Sequence, residues 1–169
     1  MEYRIEKQSF ERYEAYKDSR VGWIGEVPEH WEIVRIKYLM REKNNRSEDG
    51  LGELLSMSKY YGIIPRRKIT DKLESATTLI GYKKCVSGDL IVNKLQAWNG
   101  MIDLSNYDGL VSPDYSVFII DKDIVDPIFL LFIFKTSIYI DEFTRQSSGI
   151  GEGFFRLYTD KLYIIPFIL

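Results

Sequence analysis

The chain has 169 residues, of which 45% are hydrophobic, and this length and composition predict one domain with a buried core. A net charge of −2 gives no sign of a strongly basic nucleic-acid binder, and the single cysteine, Cys85, excludes an internal disulfide. The longest apolar run, residues 128–134, is too short to cross a bilayer, and the charged N-terminus is unlike a signal peptide. These features predict a cytoplasmic protein.

Polar and aromatic stretches alternate in the first forty residues. Residues 9–18 are mostly polar, with Ser9 suited to an N-cap, and are predicted to form a short exposed helix. The glycines and the proline that follow predict an irregular loop, which Trp23, Ile24 and Trp31 pin onto the core. Residues 32–39 are predicted to form a strand that enters a helical turn.

Short apolar runs separated by turn residues make up the middle of the chain. Strands are predicted at residues 54–58, 82–86, 90–95 and 115–120. The second and third of these strands are joined by a turn around Gly88. Loops are predicted at residues 44–52 and 103–109, because polar residues and glycines dominate both segments.

The clearest helix begins at Asp126 and Pro127. Aspartate is favoured as an N-cap, proline is favoured at the first helical position, and apolar residues continue from Ile128 to Phe143. Residues 146–153 are predicted to form a flexible loop, and the tail ends in a β-prone run.

These elements predict an α+β fold. We expect a single compact domain with a mostly antiparallel, twisted sheet, long irregular loops and a few packed helices. Residues 1–20 are expected to hold the polar N-terminal helix, and residues 21–169 the domain itself.

The sequence lacks the residues of the common catalytic and metal sites. His30 is the only histidine, and one histidine with one cysteine cannot complete a zinc site. A Ser-His-Asp or Cys-His device would have to use His30, which fits a structural role in a turn better. The glycines of residues 149–153 follow no predicted strand and are a poor phosphate cradle. We therefore predict a binding protein without cofactor or metal, and not an enzyme.

Charge is distributed unevenly along the chain. Residues 59–94 hold eight basic and three acidic side chains, a net charge of +5, whereas the other residues together carry −7. A local basic surface on an acidic protein suits a polyanion.

Five motifs occur in order over nearly the whole chain. The first is VGWIGEVPEHWEIVRIKYL, and the later ones are KKCVSGDLIVNK, GLVSPDYSVFII, DPIFLLFIFKTSIY and SSGIGEGFFRLYTDKLYIIPFIL. The first resembles the opening of a target recognition domain in the specificity subunits of type I restriction-modification systems. The others resemble that family's Gly-Asp strand, its Ser-X-X-Tyr strand, the following helix and the closing Gly-rich loop with its final strand.

This resemblance implies a non-catalytic domain that recognises a sequence in double-stranded DNA. In such families the specificity subunit carries two recognition domains separated by long helices. It directs methyltransferase (modification) and restriction subunits to their site. The chain is therefore expected to be a first recognition domain alone, which ends near Leu169, before the spacer helix expected in the family.

Three segments carry the side chains predicted to contact DNA. Cations suit the uniform phosphate backbone, whereas Asn and Gln form paired hydrogen bonds with adenine. The candidates are Lys59, Tyr60, Arg66, Arg67 and Lys68 in the first segment, Asn93, Lys94, Gln96 and Asn99 in the second, and Ser147, Ser148 and Arg156 in the third. Each segment has a structural alternative: a solvated basic turn, a hairpin tip, and a loop that Arg156 braces. Trp98 is expected to anchor its loop.

A carbohydrate- or protein-binding module is the alternative function, because Trp and Tyr beside Asn and Gln in loops also suit sugars and protein partners. Salt separates the two, since counterion release weakens DNA binding steeply and hardly affects sugar binding. A third hypothesis is an enzyme, which would need a catalytic site that the sequence does not show.

Overall fold

The computed structural model describes residues 12–69, 78–151 and 154–169 of the chain. Within them the strands are β1 (Tyr16–Asp18), β2 (Glu26–Pro28), β3 (Ile33–Arg35), β4 (Met40–Lys43), β5 (Leu55–Ser58), β6 (Gly62–Pro65), β7 (Lys83–Cys85), β8 (Leu90–Asn93), β9 (Ile102–Leu104), β10 (Gly109–Val111), β11 (Tyr115–Ile120), β12 (Ser148–Gly151), β13 (Phe154–Arg156) and β14 (Pro166–Ile168). The helices are α1 (Pro127–Phe134), α2 (Ser137–Gln146) and α3 (Thr159–Tyr163), and single 3-10 turns are η1 (Ile36–Tyr38), η2 (Arg66–Lys68) and η3 (Ala97–Asn99).

The largest sheet has four antiparallel strands in the order β4-β11-β8-β9. In its centre, Val117 of β11 lies opposite Lys43 of β4 on one side and Ile91 of β8 on the other. Further two-stranded ladders pair β1 with β2, β3 with β14, β5 with β6, β7 with β10, and β12 with β13. The predicted α+β fold with mostly antiparallel pairing is confirmed.

Apolar residues cover both faces of this central sheet. Successive residues of a strand point to opposite faces, so Leu90 and Phe118 join a large core that also contains the buried apolar residues of the three helices. Ile91 and Val117 point the other way, into a smaller core beneath the β5–β6 and β7–β10 ladders. Coverage on both sides explains why β8 is an unbroken apolar run up to its last residue.

Cys85, the last residue of β7, is buried in the smaller core. Burial is the main cause that raises the pKa of its thiol to about 11, and the nearby Asp89 carboxylate adds to the increase. This cysteine therefore stays protonated and unreactive in the folded chain at neutral pH.

The aromatic residues of the opening motif hold its loop against the large core, which confirms their predicted role. The Trp23 ring meets the Tyr139 ring edge-on at 5.1 Å between centroids. The Trp31 ring meets Phe129 of α1 in the same way at 6.2 Å. The following residues form β3 and then η1, which confirms the predicted strand and helical turn.

The predicted long helix is correct at its start and wrong at its end. The Asp126 carboxylate caps α1 by accepting hydrogen bonds from two backbone N–H groups at 2.8 and 2.9 Å. The helix does not continue to Phe143, because Thr136 adopts an extended conformation and its hydroxyl donates to Ile133 O at 2.7 Å. A second helix, α2, begins at the next residue. No helix in the described ranges is both long and apolar enough to span a membrane.

The predicted N-terminal helix over residues 9–18 is wrong where the structure describes it. Residues 9–11 lie outside the described residues, residues 12–15 are not helical, and Tyr16–Asp18 forms β1. A short polar segment gains little from helix formation, whereas pairing with β2 supplies its backbone with hydrogen bonds.

Three predicted loops contain strands. The irregular loop predicted after residue 20 includes β2, which pairs with β1. Of residues 146–153, predicted to be a flexible loop, Ser148–Gly151 forms β12 and pairs with β13, while residues 152–153 lie outside the described residues. The loop predicted over residues 103–109 is occupied at its ends by β9 and β10. In each case a partner strand provides the pairing, which the composition of the segment itself does not reveal.

Candidate functional site

A cleft of about 280 Å³ lies where the β5–β6 hairpin meets the end of the central sheet. Two of the three sequence-predicted segments contribute to its walls. The lining side chains with hydrogen-bonding groups include Ser56, Arg66, Asn93, Gln96, Asp114 and Tyr115. The cleft therefore places an arginine from one predicted segment beside the amides of another.

Strand pairing explains why these residues meet. Asn93, the last residue of β8, lies opposite Tyr115, the first residue of β11. Arg66 follows β6, and its backbone N–H donates to Leu54 O at 2.8 Å. The Tyr115 phenol is partly buried, which raises its pKa, and a hydrogen bond with the Met57 backbone joins it to the hairpin.

The two amides in the cleft have different roles. Asn93 is only 8% exposed, and its carboxamide oxygen accepts a hydrogen bond from Leu95 N at 3.2 Å, so this oxygen holds the turn. Gln96 is exposed at the start of η3, and its carboxamide has no hydrogen-bond partner within the described parts of the chain. The Trp98 indole donates to Leu95 O at 2.9 Å and anchors the loop. Gln96 thus presents both a donor and an acceptor to the cleft.

The third predicted segment reaches the cleft through an ion pair. The Arg156 guanidinium lies 2.9 Å from the Asp114 carboxylate, which lines the cleft. Ser148 lies opposite Arg156 in the β12–β13 ladder and is exposed. The Ser147 hydroxyl instead donates to Phe143 O at 2.7 Å, at the end of α2.

Lys94 adds positive charge next to Arg156. The backbone carbonyl of Lys94 accepts a hydrogen bond from Leu157 N at 2.9 Å, which ties the two segments together. Burial lowers the pKa of the Lys94 ammonium, and the neighbouring Lys83 and Arg156 cations lower it further. An anion at this place would relieve that repulsion.

The cleft lining also excludes five further predicted contacts, namely Lys59, Tyr60, Arg67, Lys68 and Asn99. At the tip of the β5–β6 hairpin, Lys59 Nζ lies 3.4 Å from Asn99 Oδ1, and Tyr60 is exposed beside it. After the hairpin, Arg67 forms an ion pair with Glu53 at 3.0 Å. Lys68 Nζ lies 3.4 Å from the Tyr107 hydroxyl.

Asp114, Ser56 and Tyr115 line the cleft and were not among the predicted contacts. Asp114 and Tyr115 belong to the Ser-Pro-Asp-Tyr turn that opens β11. The sequence signal that could have identified Asp114 was a carboxylate in a turn directly before a clearly predicted strand. Ser56 gave none, because it lies inside β5 and looks like an ordinary strand residue.

The described residues contain no group of three or more His, Cys, Asp or Glu side chains placed to hold a metal ion. His30 is exposed, with its ring 5.2 Å from the ring of Tyr13. The chemistry of the cleft is instead that of hydrogen-bond donors and acceptors around a guanidinium.

No protein-family model and no curated protein matches the sequence. Two solved structures are similar in fold. One is a chain from a study of complex assembly and conformational transition of the type I R-M system, with a TM-score of 0.57 and 18% identity over 85% of this chain. The other is the type I restriction-modification system S subunit from M. genitalium, with a TM-score of 0.54 and 13% identity over 83% of this chain.

The chain has the target recognition domain fold of type I restriction-modification S subunits. The family resemblance seen in the sequence is thereby confirmed at the level of the fold. The chain spans only part of these neighbours, 38% of the first and 34% of the second.

Proposed function

We propose that the chain recognises a DNA sequence as the target recognition domain of a type I restriction-modification specificity subunit. The observation that carries the proposal is that Arg66 and Gln96 line one cleft and that Arg156 is ion-paired with Asp114, a third lining residue. The three residues come from three distant segments, and the fold is that of S subunits.

The side chains in and beside the cleft suit both the phosphate backbone and the base edges of a duplex. Arg66, Lys94 and Arg156 supply cations for phosphates, which fix the position of the DNA and contribute most of the salt-dependent affinity. Gln96 supplies the donor and acceptor pair that adenine binds in the major groove. The adjacent β5–β6 hairpin is a two-stranded ribbon, a shape that the major groove admits.

In this proposal the chain binds and does not catalyse. Methyltransferase (modification) and restriction subunits, assembled with the longer protein in the cytoplasm, carry out methylation and cleavage. A single domain should bind DNA weakly, because two linked domains multiply affinity through effective concentration.

The test is a salt titration of DNA binding by the 169-residue chain, followed by fluorescence anisotropy. We expect dissociation constants of roughly 10⁻⁴ to 10⁻⁶ M at physiological salt, and about three phosphate contacts should give a log–log salt slope near −3. Replacement of Lys37 and Arg41 by alanine is the matched control, since these cations line a separate pocket beside β4. Tight binding that does not respond to salt contradicts the proposal.

A carbohydrate-binding module is the second candidate, because the cleft combines Tyr82 and Tyr115 with the amide of Gln96. The salt titration separates the two functions. Sugar binding at this cleft should be nearly independent of salt, and a panel of oligosaccharides tested by calorimetry would then show heat of binding where DNA shows none.

A further inference from the structure

Two tyrosines stand in solvent at the tip of the β5–β6 hairpin. Tyr60 is 88% exposed and Tyr61 is 77% exposed. Within the described ranges, neither ring contacts another aromatic ring or stacks with a cation. Large aromatic rings favour burial, so an adjacent exposed pair marks a surface that gains free energy when a partner covers it.

The backbone of the tip is fixed although its rings are free. The Ser58 hydroxyl accepts hydrogen bonds from the N–H groups of Tyr60 and Tyr61 at 3.3 and 3.4 Å. Gly62 closes the turn at φ +65°, and a Cβ there would lie 2.7 Å from Asp103 Oδ2, so the position requires glycine. A tip held in this way leaves the side-chain rotamers of the two rings, and little of the backbone, to be ordered on binding.

Two lysines flank the base of the tip. Lys59 Nζ lies 3.4 Å from Asn99 Oδ1. Lys135 Nζ donates to Gly100 O at 2.9 Å and lies 3.8 Å from Asp103 Oδ2. Two ammonium groups against one carboxylate leave positive charge next to the rings, which favours an anionic polymer over an acidic or neutral apolar partner.

The tip and the cleft are joined by two short elements. Ser56 lines the cleft and Ser58 holds the tip, two residues or roughly 7 Å further along β5. On the other side, Gln96 lies at the start of η3 and Asn99, which contacts Lys59, lies at its end. A strand of DNA that occupies the cleft therefore passes within reach of the tip.

We propose that Tyr60 and Tyr61 form a stacking element for an unpaired base of the DNA that the cleft binds. Every base has a flat π face, so stacking on tyrosine is tolerant of sequence and complements the hydrogen-bonding groups of the cleft. Base faces are covered in a paired duplex and are open at a mismatch. The inference rests on the proposed DNA-binding function and adds to it a preference for locally opened DNA.

The test compares two fluorescent duplexes that differ only in a short central mismatch. The 169-residue chain should bind the mismatched duplex about fivefold or more tighter, because stacking by one aromatic residue gives about 5- to 150-fold in alanine substitutions. The double variant Tyr60→Ala, Tyr61→Ala should lose this preference and bind the mismatched duplex no more tightly than the paired one. The double variant Tyr60→Phe, Tyr61→Phe should retain the preference, since phenylalanine stacks equally well.

Tyr38→Ala is the matched control. Tyr38 is 61% exposed and has Lys37 Nζ 4.7 Å from its ring centroid, but it precedes β4, at the opposite edge of the central sheet from β9. This variant should behave as the unchanged chain does. Circular dichroism confirms that all variants are folded.

Different failures have different meanings. If the alanine pair keeps the mismatch preference, or if the phenylalanine pair loses it as fully as the alanine pair, the stacking role is wrong. If the unchanged chain binds both duplexes equally and with a steep salt dependence, the tip proposal is wrong and the cleft proposal stands. If the unchanged chain binds neither duplex, both are wrong.

Discussion

Two polar clusters in this chain are assembled from distant segments, and they differ at one side chain: the first cluster has a partner for its central carboxylate, whereas the cleft contains an amide, Gln96, that has none within the described residues. In the Glu42 cluster (Glu42, Lys83, Ser116 and Thr159), one carboxylate oxygen of Glu42 accepts from Lys83 Nζ at 3.3 Å and from the Ser116 hydroxyl at 2.8 Å, and the other accepts from the Thr159 hydroxyl at 2.8 Å. In the cleft, the Gln96 carboxamide has no such partner within the described residues and faces solvent.

The Glu42 cluster stabilises the fold. It joins β4, β7, β11 and the start of α3. Burial alone would raise the pKa of Glu42, but hydrogen bonds from Thr159 and Ser116 and the charge of Lys83 lower it below its ordinary value. A fully satisfied network contributes rigidity, whereas polar groups left open at a cleft contribute binding. Substitutions in the Glu42 cluster should therefore change stability, whereas substitutions in the cleft should change DNA binding.

The largest effect is expected from Lys83→Ala, on stability. The Lys83 side chain is only 4% exposed, and its removal leaves Glu42 as a charge without its cation. The free energy of unfolding should fall by about 3 kcal/mol, at the lower end for a buried pair, because the Glu42 side chain is 26% exposed. Urea unfolding measures it, and the neighbouring exposed Lys84→Ala should change it by less than about 0.5 kcal/mol. Equal losses in the two variants would show that the cluster is not the cause.

Gln96→Ala should change recognition and leave stability unchanged. Loss of a paired contact to a base should reduce discrimination against the wrong base by about 1–3 kcal/mol. The measurement is methylation by the complete complex over a panel of single-base variants of its site. Asn44→Ala, an exposed amide after the edge strand β4, is the control. A Gln96 variant that loses activity equally on every site would not be a base reader.

Arg66→Ala and Arg67→Ala should differ in the salt dependence of DNA binding although the two residues are adjacent. Arg66 lines the cleft, whereas Arg67 lies outside it and is paired with Glu53. Removing a phosphate contact should flatten the log–log salt slope by about one, so we expect this change for Arg66→Ala and little change for Arg67→Ala. The reverse order would place the DNA on the outer face of η2.

Asp114→Asn should strengthen DNA binding slightly. The Asp114 carboxylate repels phosphate and holds Arg156, and it is partly exposed, so the ion pair is weak. Its removal should raise affinity by about 1.4- to 5-fold, the equivalent of one surface ion pair. Anisotropy at low salt measures the change. Weaker binding by the asparagine variant would mean that the carboxylate itself accepts a hydrogen bond from a base.

The parts of the fold that were predictable from sequence are those with strong local signals. The apolar run of β8, the strand β11 and the Asp126 cap all depend on residues that are adjacent in sequence. β1 and β12 were missed, because polar or glycine-rich segments form strands only when a partner strand provides hydrogen bonds.

The candidate site was predictable by residue type and not by arrangement. Gln96 was visible as an amide that directly follows a predicted strand, and Arg66 was visible as part of a basic segment. Their meeting in one cleft depends on the pairing of β8 with β11 and on the packing of the β5–β6 hairpin, which are long-range. For the same reason Asp114 became visible as a member of the site only in the structure.

The central claim is that DNA occupies the cleft, and amide NMR spectra of the isotope-labelled chain during titration with duplex DNA test it most directly. The account predicts chemical-shift changes at Gln96, Arg66 and Asp114, which line the cleft, and none at Lys37, Tyr38 or Arg41, which line the pocket beside β4. Changes centred on the pocket beside β4, with the cleft unaffected, would contradict it.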